Sequence, residues 1–236
     1  MSSDGDDRFP FYADSDPRHV PRYYKAEAAR YLRISPATLR TWVLGRTYPR
    51  GPRVAFSEPL IQLPDSEDGR LSFTNLVEAH VLNGLRSSHR VPMHAVRTAL
   101  AYAESTYGIE RLLVHPDLRA VPGEVLLERL DELVNLGKAG QLALRKVLSY
   151  YLQRLERDVA GLPSRLYPFV PGMGTSMNLL IDPLVSFGRP IVKRRGISTA
   201  VIAERVDAGE TLSFVAADYD LEEDEVEEAI IYERAA

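Results

Sequence analysis

Thr38, Arg40 and Thr41 stand on the stretch SPATLRTW, where small polar and cationic residues alternate with apolar ones at spacings of three and four. Hydroxyl and guanidinium groups on one helix face can hydrogen-bond base edges and neutralise phosphates. Residue types for bond-breaking chemistry are harder to find. There is no cysteine, no G-x-S-x-G elbow, no H-E-x-x-H and no G-x-x-x-x-G-K-[ST]. The histidines, His19, His80, His89, His94 and His115, do not fall at ligand spacings on a common predicted face. Gly172 and Gly174 begin a G-x-G, but Met177 takes the place of the third glycine and no strand-then-helix frames it. The expectation is a protein that is not an enzyme, with no cofactor and no metal site.

The polar triplet needs a scaffold, and the flanking sequence supplies one. Between Lys25 and Leu32, Ala28, Ala29 and Leu32 form one helical stripe. Arg33 and Ile34 make a tight turn. Ser35 then offers a side-chain acceptor to an orphan N–H and Pro36 suits the first helical position, so a second helix starts there and stops at Gly45. Its inward face is Leu39, Trp42 and Val43, which leaves Ala37, Thr38, Arg40 and Thr41 outside. Two short helices joined in this way put a recognition helix into a major groove. Two β-type runs, Arg46 to Phe56 and Arg70 to Phe73, around a polar loop containing Gly and Pro predict a wing. Arg46, Arg50 and Arg53 are then placed at phosphates.

The formal net charge of −4 conceals a segregation. From Pro17 to Arg53 there are nine basic residues against one acidic; from Asp207 to Ala236, eleven acidic residues stand against one basic. Two surfaces with different partners follow. The absence of cysteine is compatible with a reducing compartment, and the polar, acidic N-terminus contains no apolar run for a signal peptide or membrane span. The reading is a cytoplasmic protein with a disordered tail over 1–20.

Beyond the wing, helices are expected from Thr74 or Asn75 to Ser87, with stripe residues Leu76, Val77, His80, Val81 and Leu85, and from Val91-Pro92 to Gly108. His80 reads as a core histidine with one hydrogen bond. A short strand at Leu112 to Val114 and helices over Glu124 to Leu136 and Gln141 to Val159 follow, separated by GKAG. The last of these has a broad apolar face suited to a core or a homodimer contact. Gly161 to Asn178 is Pro- and Gly-rich, with a strand at Leu166 to Val170, and precedes a small β-meander. Three closing helices are Thr199 to Asp207 (Val201, Ile202 and Val206 inward), one capped by Thr211 (Phe214, Val215 and Ala217 inward), and Glu222 to Glu233 (Val226, Ala229 and Ile230 inward). The third presents Glu222, Glu223, Asp224, Glu225, Glu227 and Glu228, a surface that repels phosphates. The fold class is mainly α with short β segments: a winged helix-turn-helix domain over 21–108, a helical connector over 109–160, and a C-terminal three-helix, helix-turn-helix-like domain with a small β-meander over 161–236.

The stretch EAARYLRISPATLRTW, from Glu27 to Trp42, resembles the MerR-type helix-turn-helix through Ser35, Pro36, Thr38, Leu39 and Arg40; Arg33 stands where that family often has glycine. Leu71 to Leu100 together with Ile181 to Tyr232 resembles the domain family of unknown function number 433. The resemblance is carried by Asp182-Pro183, Gly188 to Pro190, Gly209 to Thr211, Asp218-Tyr219 and Tyr232, while RRGIST departs from that family's GTRI-like turn. The long form with a MerR-like module resembles VapB-type antitoxins of toxin–antitoxin pairs.

That resemblance implies two partners: operator DNA, bound as a homodimer to repress the protein's own operon, and a cognate toxin, a metal-dependent RNase of PIN-like fold. DNA contacts fall to Lys25, Ser35, Thr38, Arg40, Thr41, Arg46, Arg50 and Arg53. For the toxin two surfaces compete: the cations Lys193, Arg194 and Arg195, which would meet an acidic active site, and the acids Glu222, Glu223 and Glu227, which would cover a basic RNA-binding surface. The rival reading is a stand-alone MerR-like transcription regulator whose C-terminal domain dimerises or senses a ligand.

Overall fold

Local signals decide the first two helices. The computed structural model describes residues 16–87 and 91–235, and in it α1 spans Lys25–Leu32 and α2 spans Pro36–Leu44. Ala28, Ala29 and Leu32 of α1 and Leu39, Trp42 and Val43 of α2 are buried against each other. His89 lies outside the described residues.

The wing is shorter in sequence than expected. It is a single antiparallel hairpin of β1 (Arg46–Arg50) and β2 (Arg53–Ser57), in register from Arg46 opposite Ser57 to Arg50 opposite Arg53, and it turns at Gly51-Pro52. Arg70 to Phe73 is not part of it: Leu71 instead bridges Tyr23 ahead of α1. Residues 16–20, expected within a tail, are held: Arg18 pairs with Asp16 and with Asp158, each at 2.6 Å, and its carbonyl accepts the Thr74 N–H at 3.0 Å. Residues 1–15 lie outside the described residues.

The centre of the molecule is α3 (Phe73–Ser87). Sequence periodicity shows one apolar stripe, yet α3 is buried nearly all round, including Asn75, Glu78 and His80, because α1 and α6 (Gly137–Gln153) both pack against it. Its buried polar groups are paired, as burial demands. Ser72 and Asn75 cap the start reciprocally, and Glu78 takes a two-point ion pair from Arg111 at 2.8 and 2.7 Å. Gly84 lets α6 approach: a Cβ there would lie 2.8 Å from the Tyr151 ring.

α4 (Met93–Tyr107) and α5 (Val121–Val134) complete the first core, which runs from Tyr23 through α1 to α6 and on to Ile181. α5 and α6, expected as a connector, are therefore part of that core. No strand forms at Leu112 to Val114. Those three residues are buried in a turn that starts at Arg111 (φ 56°). GKAG belongs to the start of α6, and that helix ends at Gln153 rather than Val159, because the Arg154 guanidinium is buried against the carbonyls of Gly174 and Ser176. The chain then enters β3 (Leu155–Arg157), turns at Asp158, whose carboxylate accepts the N–H groups of Ala160 and Leu162, and returns as β4 (Pro163–Leu166). Val159 is fully exposed in that turn, and the strand expected at Leu166 to Val170 lies earlier. Leu144, Leu148 and Leu152 of α6 face the chain's own core.

β5 (Leu179–Ile181), β6 (Pro190–Val192) and β7 (Ile197–Ser198) continue β3 and β4 into a five-stranded antiparallel meander. Upon it sit α7 (Thr199–Asp207), α8 (Leu212–Tyr219) and α9 (Glu223–Arg234), with a second core of Val192, Ile202, Val215, Val226, Ala229 and Tyr232. Val201, Phe214 and Ala217, expected inward, are exposed. Two acids expected outward on α9 are buried. Glu225 closes a capping box by accepting the Glu222 N–H at 2.9 Å, and Glu228 accepts Ser176 Oγ at 2.7 Å and Asn178 Nδ2 at 2.9 Å. No helix among the described residues is long and apolar enough to cross a membrane.

Candidate nucleic-acid interface

The recognition helix begins where its sequence says it should. Ser35 Oγ accepts the Thr38 N–H at 3.2 Å and, as a donor, reaches Thr38 Oγ1 at 2.8 Å; Pro36 occupies the first turn. Thr41 Oγ1 donates to the Ala37 carbonyl at 2.9 Å. These bonds leave Thr38 a proton to donate and Thr41 lone pairs to accept with, a complementary pair for base edges in a major groove. Arg40 is exposed on the same helix.

Arg33, in the turn, has φ 54° and ψ 42°, the left-handed conformation that glycine normally supplies. For a residue with a Cβ this costs about 1–2 kcal/mol. The offset is visible in its side chain. Nε donates to the Phe169 carbonyl at 2.9 Å, Nη1 to Ala235 at 2.8 Å and Nη2 to Tyr232 at 3.0 Å, and the guanidinium carbon lies 5.3 Å from the Tyr232 ring centre. Burial alone pushes the Arg33 guanidinium below its ordinary value.

Gly45 joins α2 to the wing at φ 72°. A Cβ at that position would lie 2.3 Å from the Ser57 carbonyl oxygen, so only glycine lets the wing fold back against the helix end. The wing carries Arg46 and Arg53 exposed, with Arg50 in β1 beside the turn. Between α2, the wing and the α3–α4 corner is a cleft of about 570 Å³, lined among others by Thr38, Thr41, Arg46, Arg86, His94 and Arg97 and, among the described residues, by no acidic one. Arg86, His94 and Arg97 carry no signal in sequence as part of this surface. They reach it from helices whose packing is non-local.

The basic N-terminal segment divides into two sets. Arg18, Arg22, Lys25, Arg30 and Arg33 are committed within the chain: Arg22 donates to the Pro183 carbonyl at 2.6 Å, Lys25 to Gly69 at 2.5 Å, and Arg30 pairs with Glu233 at 2.5 Å. Arg40, Arg46 and Arg53 make no hydrogen bond or ion pair among the described residues. The cations left free in this segment, among the described side chains, are Arg40, Arg46 and Arg53, while Lys25, expected at a phosphate, is tied to the Gly69 carbonyl in the loop ahead of α3.

At the other end, the two surfaces considered for a protein partner adjoin each other. Arg194 pairs with Glu222 at 2.7 Å and Arg195 with Asp220, while Lys193 Nζ lies 5.2 Å from the Tyr167 ring centre. Glu223, Asp224 and Glu227 are exposed and unpaired among the described residues.

Comparison with known proteins agrees with this layout. Residues 21–100 match the family described as "Putative DNA-binding HTH domain", and residues 180–232 match "Protein of unknown function (DUF433)". The chain is 32% identical over 229 residues to "Putative antitoxin VapB45" of Mycobacterium tuberculosis (strain ATCC 25618 / H37Rv), covering 89% of this chain and 93% of that protein. It is 24% identical to "Uncharacterized protein Rv2308" of the same organism, covering 89% of each. The crystal structure of Rv2018 from Mycobacterium tuberculosis superposes with a TM-score of 0.66 at 28% identity, over 89% of this chain and 98% of that one. The chain belongs to the family of VapB45-like antitoxins, VapB-type proteins with a helix-turn-helix DNA-binding domain ahead of a DUF433 domain.

Proposed function

We propose that this antitoxin represses its own operon by binding operator DNA and neutralises a partner toxin, an RNase of PIN-like fold, by direct contact. The observation that carries the DNA role is the division of the basic segment. Arg18, Arg22, Lys25, Arg30 and Arg33 each have a partner within the chain, and Arg40, Arg46 and Arg53 have none among the described residues. Thr38 and Thr41 read base edges; Arg40, Arg46, Arg50 and Arg53 take phosphates, with Arg86, His94 and Arg97 around the adjoining cleft. Ser35 holds the start of the helix. Two-fold operators are read by dimers, and the apolar stripe of α6 is used inside the chain, so a homodimer forms through another face.

The toxin role rests on the VapB-type resemblance and on the relative's name. Of the two surfaces, the acids on α9 are the stronger choice, because Arg194 and Arg195 already hold Glu222 and Asp220 while Glu223 and Glu227 are free. An RNase must attract phosphates, so its substrate surface is cationic and the α9 acids can occupy it. The test is co-expression with the product of the adjacent gene. That product alone should arrest growth and cleave RNA, and the two chains should co-purify with activity blocked. A harmless neighbour that does not co-purify contradicts the toxin role. Reversing Glu223 and Glu227 to Lys should weaken inhibition more than Lys193→Glu; the opposite ranking moves the contact to the basic loop.

A further inference from the structure

The last turn of α1 and the last turn of α9 are tied together residue by residue. Arg30 pairs with Glu233 at 2.5 Å; the Tyr31 carbonyl accepts the Tyr232 hydroxyl at 3.1 Å; Arg33 donates to the Tyr232 and Ala235 carbonyls. The chemistry of each end suits the other. The final carbonyls of a helix lack intrahelical donors and carry the negative end of its dipole, and a guanidinium fork supplies planar, cationic N–H groups to them. Phe169, whose carbonyl takes the third Arg33 bond, is stacked on His80 of the central helix with ring centres 5.6 Å apart, so the tie is anchored to the first core as well.

Two residues after Arg33, Ser35 caps the recognition helix. The direction in which α2 leaves the turn depends on the left-handed backbone at Arg33, and that backbone is stabilised by bonds to α9. From this we infer that Arg33 is a positioning residue for DNA reading, and that the end of the C-terminal domain is a structural part of the DNA-reading head: α9 sets the aim of Thr38, Arg40 and Thr41 without touching DNA. In helix-turn-helix sequences with glycine at this position the turn holds itself. Here it is held from about 200 residues further along the chain.

This inference rests on the DNA-reading assignment, and it has one consequence that requires no DNA. Arg33→Lys keeps the charge but loses the fork, and Tyr232→Phe combined with Glu233→Gln loosens the α9 side while leaving residues 21–57 unchanged in sequence. Both full-length variants should show about 10-fold faster amide hydrogen exchange over residues 36–44, with exchange in α3 unchanged. Both should bind operator DNA about 10-fold more weakly with the salt slope of the parent, because no phosphate contact is removed. Unaltered exchange over 36–44 in both variants overturns the inference. So does an Arg33→Lys salt slope shallower by about one unit, which would make Arg33 itself a phosphate contact. A parent chain that binds no DNA overturns the DNA assignment, and the exchange measurement then still decides the tie between α9 and the turn.

Discussion

Single side chains in this protein show which chemistry each position was built for. His80, 2% exposed, sits against Tyr151 and Phe169 with Nε2 at 3.0 Å from the Tyr151 carbonyl, and burial pushes its pKa down to about 4. Its neutral ring is a packing element. Because the folded value lies below the ordinary value of 6.5, its contribution is present above pH 6.5 and is lost as pH falls towards 4, with a slope of up to about 1.4 kcal/mol per pH unit. Denaturant melts of the parent and His80→Gln at pH 7, 5.5 and 4.5 should show the stability difference between them shrinking with acidification; a difference independent of pH would contradict the assignment. Thr38→Ala, by contrast, should leave stability almost unchanged. It should cost about 1–3 kcal/mol of operator affinity and relax the preference at one base pair, as binding to a set of single-base operator variants would show.

At the scale of elements, the helix-turn-helix is set by short-range chemistry and was legible for that reason. The Ser35-Pro36 start, the inward Leu39, Trp42 and Val43, and the Gly45 stop all lie within a few residues of one another. Ser35→Ala should lower the unfolding free energy by about 1 kcal/mol in the same melts, through loss of one cap. Gly45→Ala should act on a different link. It places a Cβ against Ser57 at a left-handed position, so it should detach the wing, destabilise the fold by more than 1 kcal/mol and weaken DNA binding beyond what the stability loss explains. What the sequence hid was pairing at a distance. Arg70 to Phe73 has the same β-type pattern as the wing strands, and only the fold shows that Leu71 joins Tyr23. The end of α6 is not legible in sequence because Val159 continues the helical period, while burial of Arg154 against the carbonyls of Gly174 and Ser176 comes from a later loop. Glu225 and Glu228 look like solvent-facing acids until their cap and their Ser176 and Asn178 donors are seen. Phe214 and Val201 follow a helical stripe, yet they are exposed.

For the whole molecule, the charge division visible in sequence is finer in the structure, where each half is partly paired within the chain. The basic half is not one patch: Arg18, Arg22, Lys25, Arg30 and Arg33 fasten it to the rest of the chain, and Arg40, Arg46 and Arg53 make no such bond among the described residues. The acidic half is also partly internal, with Glu225 and Glu228 buried and Glu223, Asp224 and Glu227 exposed. The departure at Arg33, visible in sequence as an arginine where glycine is usual, is one of the points, with Arg22, Arg30 and Tyr31, where the two halves are joined. The adjoining cleft was illegible, since Arg46, Arg86 and Arg97 come from three separate elements. In the proposed function, Arg40, Arg46 and Arg53 are free within the chain because DNA phosphates are their partners. The direct test is the salt dependence of operator binding for the parent and for Arg40→Ala, Arg46→Ala and Arg53→Ala. Each variant should bind more weakly on every sequence and shallow the slope of log K against log salt by about one unit. Affinities and slopes equal to those of the parent at all salt concentrations would contradict it.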